Sequence, residues 1–213
     1  MHSPNNLLIL GAGQYGVMAA EIAEAIGVFD RIAFLDDSFN ASAALPSERH
    51  CERSEAISGD TCHSREGGRT VLSNLLLSTH GHLGGNLLLG ALADLPNFAA
   101  QFNFGFVAIG NPALRRKLTE QLKQNNFSLA TLVHPTAYVS PSAQLEPGCC
   151  VEPNTTVQTA AVVKQATFIA SGAVIRHNAT VGEFCHIDCN AVVDTLAVIP
   201  AGTHILAQEA YRA

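Results

Sequence analysis

The sequence predicts an α/β chain in two parts, a small Rossmann-like parallel sheet followed by a parallel β-helix of six-residue repeats. Two observations carry this. From Val133 onward an aliphatic residue recurs at every sixth position, through Val139, Leu145, Val151, Val157, Val163, Ile169, Ile175, Val181, Ile187, Val193, Ile199 and Ile205, thirteen positions without a miss. Ahead of this repeat, the apolar run at residues 7–10 leads straight into Gly11-Ala12-Gly13-Gln14-Tyr15-Gly16 and a stretch with helical spacing. A chain of 213 residues, 47% hydrophobic and 14% charged, suits two small domains, residues 1–130 and 131–213.

Residues 7–10, the glycine turn and residues 17–26 read as strand, turn and helix. Glycines permit a tight turn and close backbone approach, and the helix amino terminus offers unpaired N–H groups to a phosphate. A second strand, residues 31–35, ends at Asp36-Asp37, the distance from the turn at which an acid meets a ribose in dinucleotide folds. A third, residues 105–109, ends at Gly110-Asn111 and is followed by a helix over 112–125 that begins at Pro112. A short fourth strand is expected at 129–133. Three or four strands make half a dinucleotide fold, and only the β-helix follows, which counts against an NAD-dependent oxidoreductase. A mononucleotide, such as the UDP of an activated sugar, suits this sheet better; glycines that merely turn the chain are the bland alternative.

Residues 41–84 break the pattern. They are polar and aperiodic, hold His50, Cys51, Cys62 and His63, and read as an irregular exposed loop inserted after Asp37. Their wording resembles peptides produced when a mobile palindromic repeat enters a bacterial reading frame. A partner-binding loop is the alternative. Regular chain resumes near Gly85, with a helix starting at 92–95.

In the second part each six-residue step makes one short strand and one corner, three steps close a coil of roughly 18 residues, and the repeated aliphatic points inward. A 3.6-residue period would scatter such a spacing around a helix. About four coils make a stub, which argues against a structural fibre. Cys149 and Cys150, adjacent on a strand, face opposite sides. The six cysteines lack metal-ligand spacing and read as reduced thiols, and the nine histidines are scattered, so no metal is expected. A net charge of −6 with no basic stripe argues against nucleic acid. The apolar runs are far shorter than a bilayer span, and the first residues lack a signal-peptide pattern, so a cytoplasmic protein is expected.

A small nucleotide-binding domain joined to hexapeptide coils resembles the family of sialic acid O-acetyltransferases and UDP-amino-sugar N-acetyltransferases of bacterial surface-glycan pathways. The resemblance rests on residues 7–16, Phe34-Leu35-Asp36-Asp37, residues 108–111 with Arg115, Leu132-Val133-His134-Pro135, and above all residues 174–187. It implies a left-handed coil, a homotrimer, acetyl-CoA as co-substrate, and acetyl transfer to an amino or hydroxyl group of a nucleotide-linked sugar or sialic acid. By resemblance His177 is the general base, in a cleft between subunits, and an imidazole suits that role at cytoplasmic pH. His186 lies near the thioester, Gly11, Gly13 and Gly16 face the nucleotide phosphates, Asp36 and Asp37 meet the uridine, and Gly110 with Asn111 closes the pocket.

The chain departs from the family in five places. Asn178 stands where the family carries an acid beside the catalytic histidine; its amide still accepts the ring N–H but supplies no charge to the imidazolium. Tyr15 replaces a histidine of the acceptor site. Asn190 and Thr195 replace glycines, and the Thr195 side chain stands where acetyl-CoA approaches. The repeat fades after Ile205, whereas relatives continue for further coils, so a shortened β-helix with part of the donor groove missing is expected. A catalytically impaired or dead trimeric remnant that binds a nucleotide sugar, or a scaffold, is therefore the rival reading.

Overall fold

The computed structural model describes residues 4–38, 82–83 and 85–212. Most of the expected inserted loop, including His50, Cys51, Cys62 and His63, lies outside the described residues; of its span only residues 82–83 are described, and they form a strand rather than irregular chain.

The first part is a sheet built on β1 (Asn6–Leu10), β2 (Arg31–Leu35), β3 (His82–Leu83), β4 (Asn86–Gly90), β5 (Phe104–Val107) and β6 (Ser128–Leu129), in the order β3-β4-β2-β1-β5-β6. All neighbours are parallel except β3 with β4. The sheet is thus wider than the three or four strands expected. The additions are the two-residue edge strand β3 and β4, whose Leu87-Leu88-Leu89 run is too short to distinguish strand from helix by periodicity. Residues 92–98, expected to begin a helix, form a continuous 3₁₀ segment that contains Pro96. Helix α1 (Gln14–Ile26) packs Ala19, Ala20, Ile22 and Ala23 against the sheet and ends at Gly27 in the left-handed conformation, where the absence of a Cβ removes the penalty. Helix α2 (Pro112–Gln124) starts with Pro112 in its first turn and is capped by Asn111, whose Oδ1 accepts the Leu114 N–H at 3.0 Å.

From Leu132 the chain is a left-handed parallel β-helix. Two-residue strands pair in parallel with the strand 18 positions on, as Cys150 pairs with Leu132 and Phe168, and they stack into sheets of five, five and four strands. The repeated aliphatics fill the interior, with Val151, Val157, Val163, Ile169, Ile175, Val181, Ile187 and Val193 fully buried. Small residues two places before them, among them Ala161, Cys149 and Thr167, complete the filling, and buried Thr155 and Thr167 donate to the carbonyls of Ala170 and Gly182. Corners recur every sixth residue, from Gly148 through Asn154, Ala160, Ala166, Gly172, Asn178, Phe184, Asn190, Leu196 and Gly202 to Gln208, each at positive φ. Glycine and asparagine bear that conformation at little cost; Phe184 and Leu196 are held in it by the ladder on either side. The repeat runs one step past Ile205: Ala210–Tyr211 pairs with Val192–Val193, and Tyr211 packs on the core. A search confined to aliphatics stops short of this aromatic.

The two parts pack directly. Cys149 points into the coil and Cys150 out of it, onto Met18 of α1 at 4.0 Å between sulfurs. The outer face of this sheet of the coil is covered at Leu132, Cys150 and Phe168, half-covered at His186 and open at His204.

Candidate active site

The site lies where that cover ends. Between β1 and β5 the strand order switches, the position at which open parallel sheets bind ligands at their carboxyl ends. The turn after β1 and the loop after β5 both reach this crevice. Gly11 sits at φ +105, and a Cβ on Gly16 would run into the Gly11 carbonyl oxygen, so the tight strand-to-helix turn requires glycine at both. Gly13 is exposed and open above. Asp36 braces the turn, accepting the Ala12 N–H at 2.7 Å and the Ser38 N–H at 2.8 Å. Asp37 accepts the Leu92 N–H at 3.1 Å. Both acids stand at the end of β2, as the sequence suggests, and both hold backbone.

A cavity of about 230 Å³ opens between the two parts, lined by Tyr15, Gly110, Pro112 and Arg115 on one side and Phe184, His186, Gly202, Thr203 and His204 on the other. A larger hollow of about 370 Å³, around Phe29, Arg31 and Asn86, lies at the amino ends of the strands, away from the glycine turn. The smaller one is at the switch point, beyond the carboxyl ends of β1 and β5, where open parallel sheets bind ligands.

Arg115 forms the cavity's inner wall. It is fully buried, and its guanidinium donates to the carbonyls of Ala166, Ile109, Gly110, Phe184 and Cys185 at 2.8–3.2 Å. Its Cζ lies 4.2 Å from the Phe168 ring centroid. No carboxylate pairs with it among the described residues, and burial lowers its pKa to about 10. It remains charged at neutral pH. The His186 ring is enclosed by Tyr15, Phe168 and His204, with centroids at 5.7, 6.1 and 4.8 Å, and has no hydrogen-bond partner among the described residues. Burial, then the His204 charge, lowers its pKa to about 4. Burial and the nearby carboxylates of Asp188 and Glu152 raise the Tyr15 phenol, which stays protonated.

The structure thus brings together Tyr15, Gly110 and His186 of the expected site residues. Asn111 borders the loop, with its side chain engaged as the α2 cap. His177, Asn178 and Thr195 lie on a different corner of the coil and do not line the cavity. His177 is exposed, its N–H donating to Gln158 Oε1 at 3.2 Å. Asn178 is a corner residue at φ +59, a conformation asparagine tolerates. Thr195 follows His177 by one coil; its N–H donates to Asp194 Oδ1 at 2.8 Å, and its buried hydroxyl has no partner. His204 escapes a search for motifs, yet stands one 18-residue coil after His186, and that spacing alone points to it. Among the described residues no group of three or more His, Cys, Asp or Glu could hold a metal ion.

The sheet, with a glycine turn at its switch point, opens onto the side of a parallel β-helix of six-residue steps. Residues 6–61 match the family model of the PglD N-terminal domain. The acetyltransferase domain of PglB from Neisseria gonorrhoeae is similar to 96% of this chain over 93% of its own, at 24% identity and a TM-score of 0.65. Its complex with acetyl coenzyme A matches 97% of this chain and 98% of its own, at 24% identity and 0.56. A mutant perosamine N-acetyltransferase from Caulobacter crescentus, in complex with CoA and GDP-perosamine, matches 98% of this chain and 91% of its own, at 18% identity and 0.61. Residues 6–61 are thus similar to the PglD N-terminal domain, and the whole chain has the fold of these acetyltransferases, as the resemblance read from the sequence requires.

Proposed function

We propose that this protein transfers the acetyl group of acetyl-CoA to an amino or hydroxyl group of a nucleotide-activated sugar or sialic acid, in the cytoplasm, for surface-glycan synthesis. The observation that carries the reading is the cavity in which Tyr15 and Gly110, from the nucleotide-binding crevice, meet His186 from the coil. Similarity to a perosamine N-acetyltransferase in complex with CoA and GDP-perosamine supports an activated sugar as acceptor, and an amine as the attacking group. The complex of PglB with acetyl coenzyme A supports the donor.

In this reading the nucleotide phosphates lie over Gly11, Gly13 and Gly16 at the amino end of α1, where free N–H groups and the helix dipole favour anions. Asp36 and Asp37 border the nucleoside, and the sugar reaches toward Tyr15 and His186. The sugar nitrogen or oxygen attacks the thioester carbon, the new C–N or C–O bond forms as C–S breaks, and CoA leaves as thiolate, to be protonated. His177 takes the proton lost by the nucleophile. Because His177 does not line its own chain's cavity, a neighbouring subunit of a homotrimer supplies it, with Asn178 orienting the ring and Thr195 beside the donor.

The test is calorimetric titration of acetyl-CoA into protein whose oligomeric state is known from light scattering, followed by turnover with UDP-amino sugars and GDP-perosamine. Saturable binding and turnover, with His177→Ala abolishing turnover while the trimer persists, are expected. A well-folded trimer that binds no acetyl-CoA overturns the reading in favour of a remnant that holds a nucleotide sugar.

A further inference from the structure

We propose that Tyr15 and Gly110 form a size gate for the acceptor. The Tyr15 ring, seated on Gly110, limits the cavity to one unelaborated sugar ring and turns away sugars that carry a bulky substituent. This rests on the cavity being the acceptor site.

Tyr15 stands in the first turn of α1, and its ring crosses the gap between the crevice and the coil. On the coil side it meets Phe168 and His186, with ring centroids at 5.9 and 5.7 Å. On the crevice side it lies on Gly110. A Cβ there would stand 3.2 Å from Tyr15 Cε2, closer than ordinary van der Waals contact, and the three nearest heavy atoms it would meet all belong to Tyr15. The backbone of Gly110 is not in the left-handed region, so the ring, and not the chain conformation, accounts for the glycine. The two walls are also fixed relative to each other. Arg115 Nη1 donates to the carbonyls of Ile109 and Gly110, while Nη2 donates to those of Phe184 and Cys185. A larger ligand could widen the opening only by breaking these bonds or displacing the Tyr15 ring. At about 230 Å³ the cavity is smaller than the roughly 300–1,000 Å³ of pockets that enclose a drug-sized ligand. It holds a single sugar ring, with the nucleotide left outside in the crevice.

The test is calorimetry on the full chain. Titrations of UDP and GDP choose the nucleotide; its hexosamine conjugate and the N-benzoyl derivative of that conjugate follow. The native chain should bind the hexosamine conjugate more tightly than the bare nucleotide and favour it over the benzoyl derivative by roughly tenfold or more, the scale set by burying or excluding a phenyl ring. Tyr15→Ala should abolish that preference and leave the bare nucleotide unaffected, whereas Tyr15→Phe, which keeps the ring, should retain it. Gly110→Ala should push the ring into the cavity and weaken the conjugate alone. Added to Tyr15→Ala, the same substitution should do nothing, an outcome that a structural need for glycine would not produce. An unchanged preference in Tyr15→Ala, or an equal effect of Gly110→Ala with and without the tyrosine, overturns the proposal. Should Tyr15→Ala fail to fold, the conjugate-selective loss in Gly110→Ala decides. A native chain to whose binding the sugar adds nothing overturns the gate and the acceptor site together. Acetyl-CoA enters none of these titrations, so failure of the gate alone leaves the acetyltransferase reading standing.

Discussion

Arg115 is the residue on which the junction of the two parts turns, and replacing it by Met tests that claim. Its five donors reach the loop after β5, at Ile109 and Gly110, and two successive coil corners, at Ala166 and at Phe184 with Cys185. A methionine keeps much of the apolar stem but none of the donors. The Cys185 carbonyl still accepts the Phe168 N–H, and the other four are left to find water. A buried acceptor stripped of its partner costs about 1–3 kcal/mol, and a hydrogen bond from a charged donor contributes about 1.5–3. Water entering from the cavity and relief of the desolvation that lowers the arginine pKa offset part of this. With four carbonyls losing their donor and these offsets applied, the net loss should be about 3–5 kcal/mol, in the large tail of single substitutions. For a chain of this size that is a fall in melting temperature of about 10 °C, read by circular dichroism at fixed protein concentration because oligomerisation shifts the midpoint. Arg115→Lys should recover little, since one ammonium cannot span three segments with planar geometry. Loss of less than about 1 kcal/mol in the Met variant, or full recovery with Lys, would refute the argument.

His186 should make the protein acid-labile. Its folded pKa of about 4 lies below the reference 6.5, so between these values the unfolded chain binds a proton that the folded chain does not, and stability falls with falling pH. His186→Gln should flatten that slope by roughly 1–2 kcal/mol after allowance for solvent screening, as measured by urea unfolding at neutral and mildly acid pH. Thiol labelling followed by peptide mass spectrometry should modify exposed Cys189 rapidly. It should leave the peptide bearing Cys149 and Cys150 untouched until unfolding, because burial pushes the Cys149 thiol up to about 12 and raises Cys150 as well. If the chain acetylates sugars, Asn178→Asp should raise kcat by roughly tenfold or more, by charge-balancing the imidazolium of His177. An unchanged kcat would remove residue 178 from the catalytic account.

How much of this was legible depends on how local each determinant is. The coil was, because a six-residue period fixes both the inward side chain and the corner. The aliphatics from Val133 to Ile205 all fall where the spacing puts them, and Tyr211 extends the same spacing with an aromatic in place of an aliphatic. The glycine turn was legible for the same reason: Gly11 and Gly16 answer to a backbone approach within a few residues. β4 was not, since its apolar run is short and its strand identity comes from pairing with β2, whose last residue lies some fifty positions earlier in the chain. The site was the least legible part. Asp36 and Asn111 carry residue types that suit ligand contact, yet each is fully explained by a backbone N–H it holds, and nothing in the local sequence separates the two roles. Arg115 stands in a helix whose other charged residues are exposed, and its burial is dictated by carbonyls up to seventy residues away. His204 was within reach, because adding one coil to His186 finds it. A repeat read as a ladder of 18 predicts which outward residues stack, and the length of the amino-terminal cover decides which rung first meets solvent. Phe168 is under the cover, His204 is beyond it, and His186 falls at its edge. An enclosed imidazole beside an open one follows from that geometry before any catalytic role is assigned.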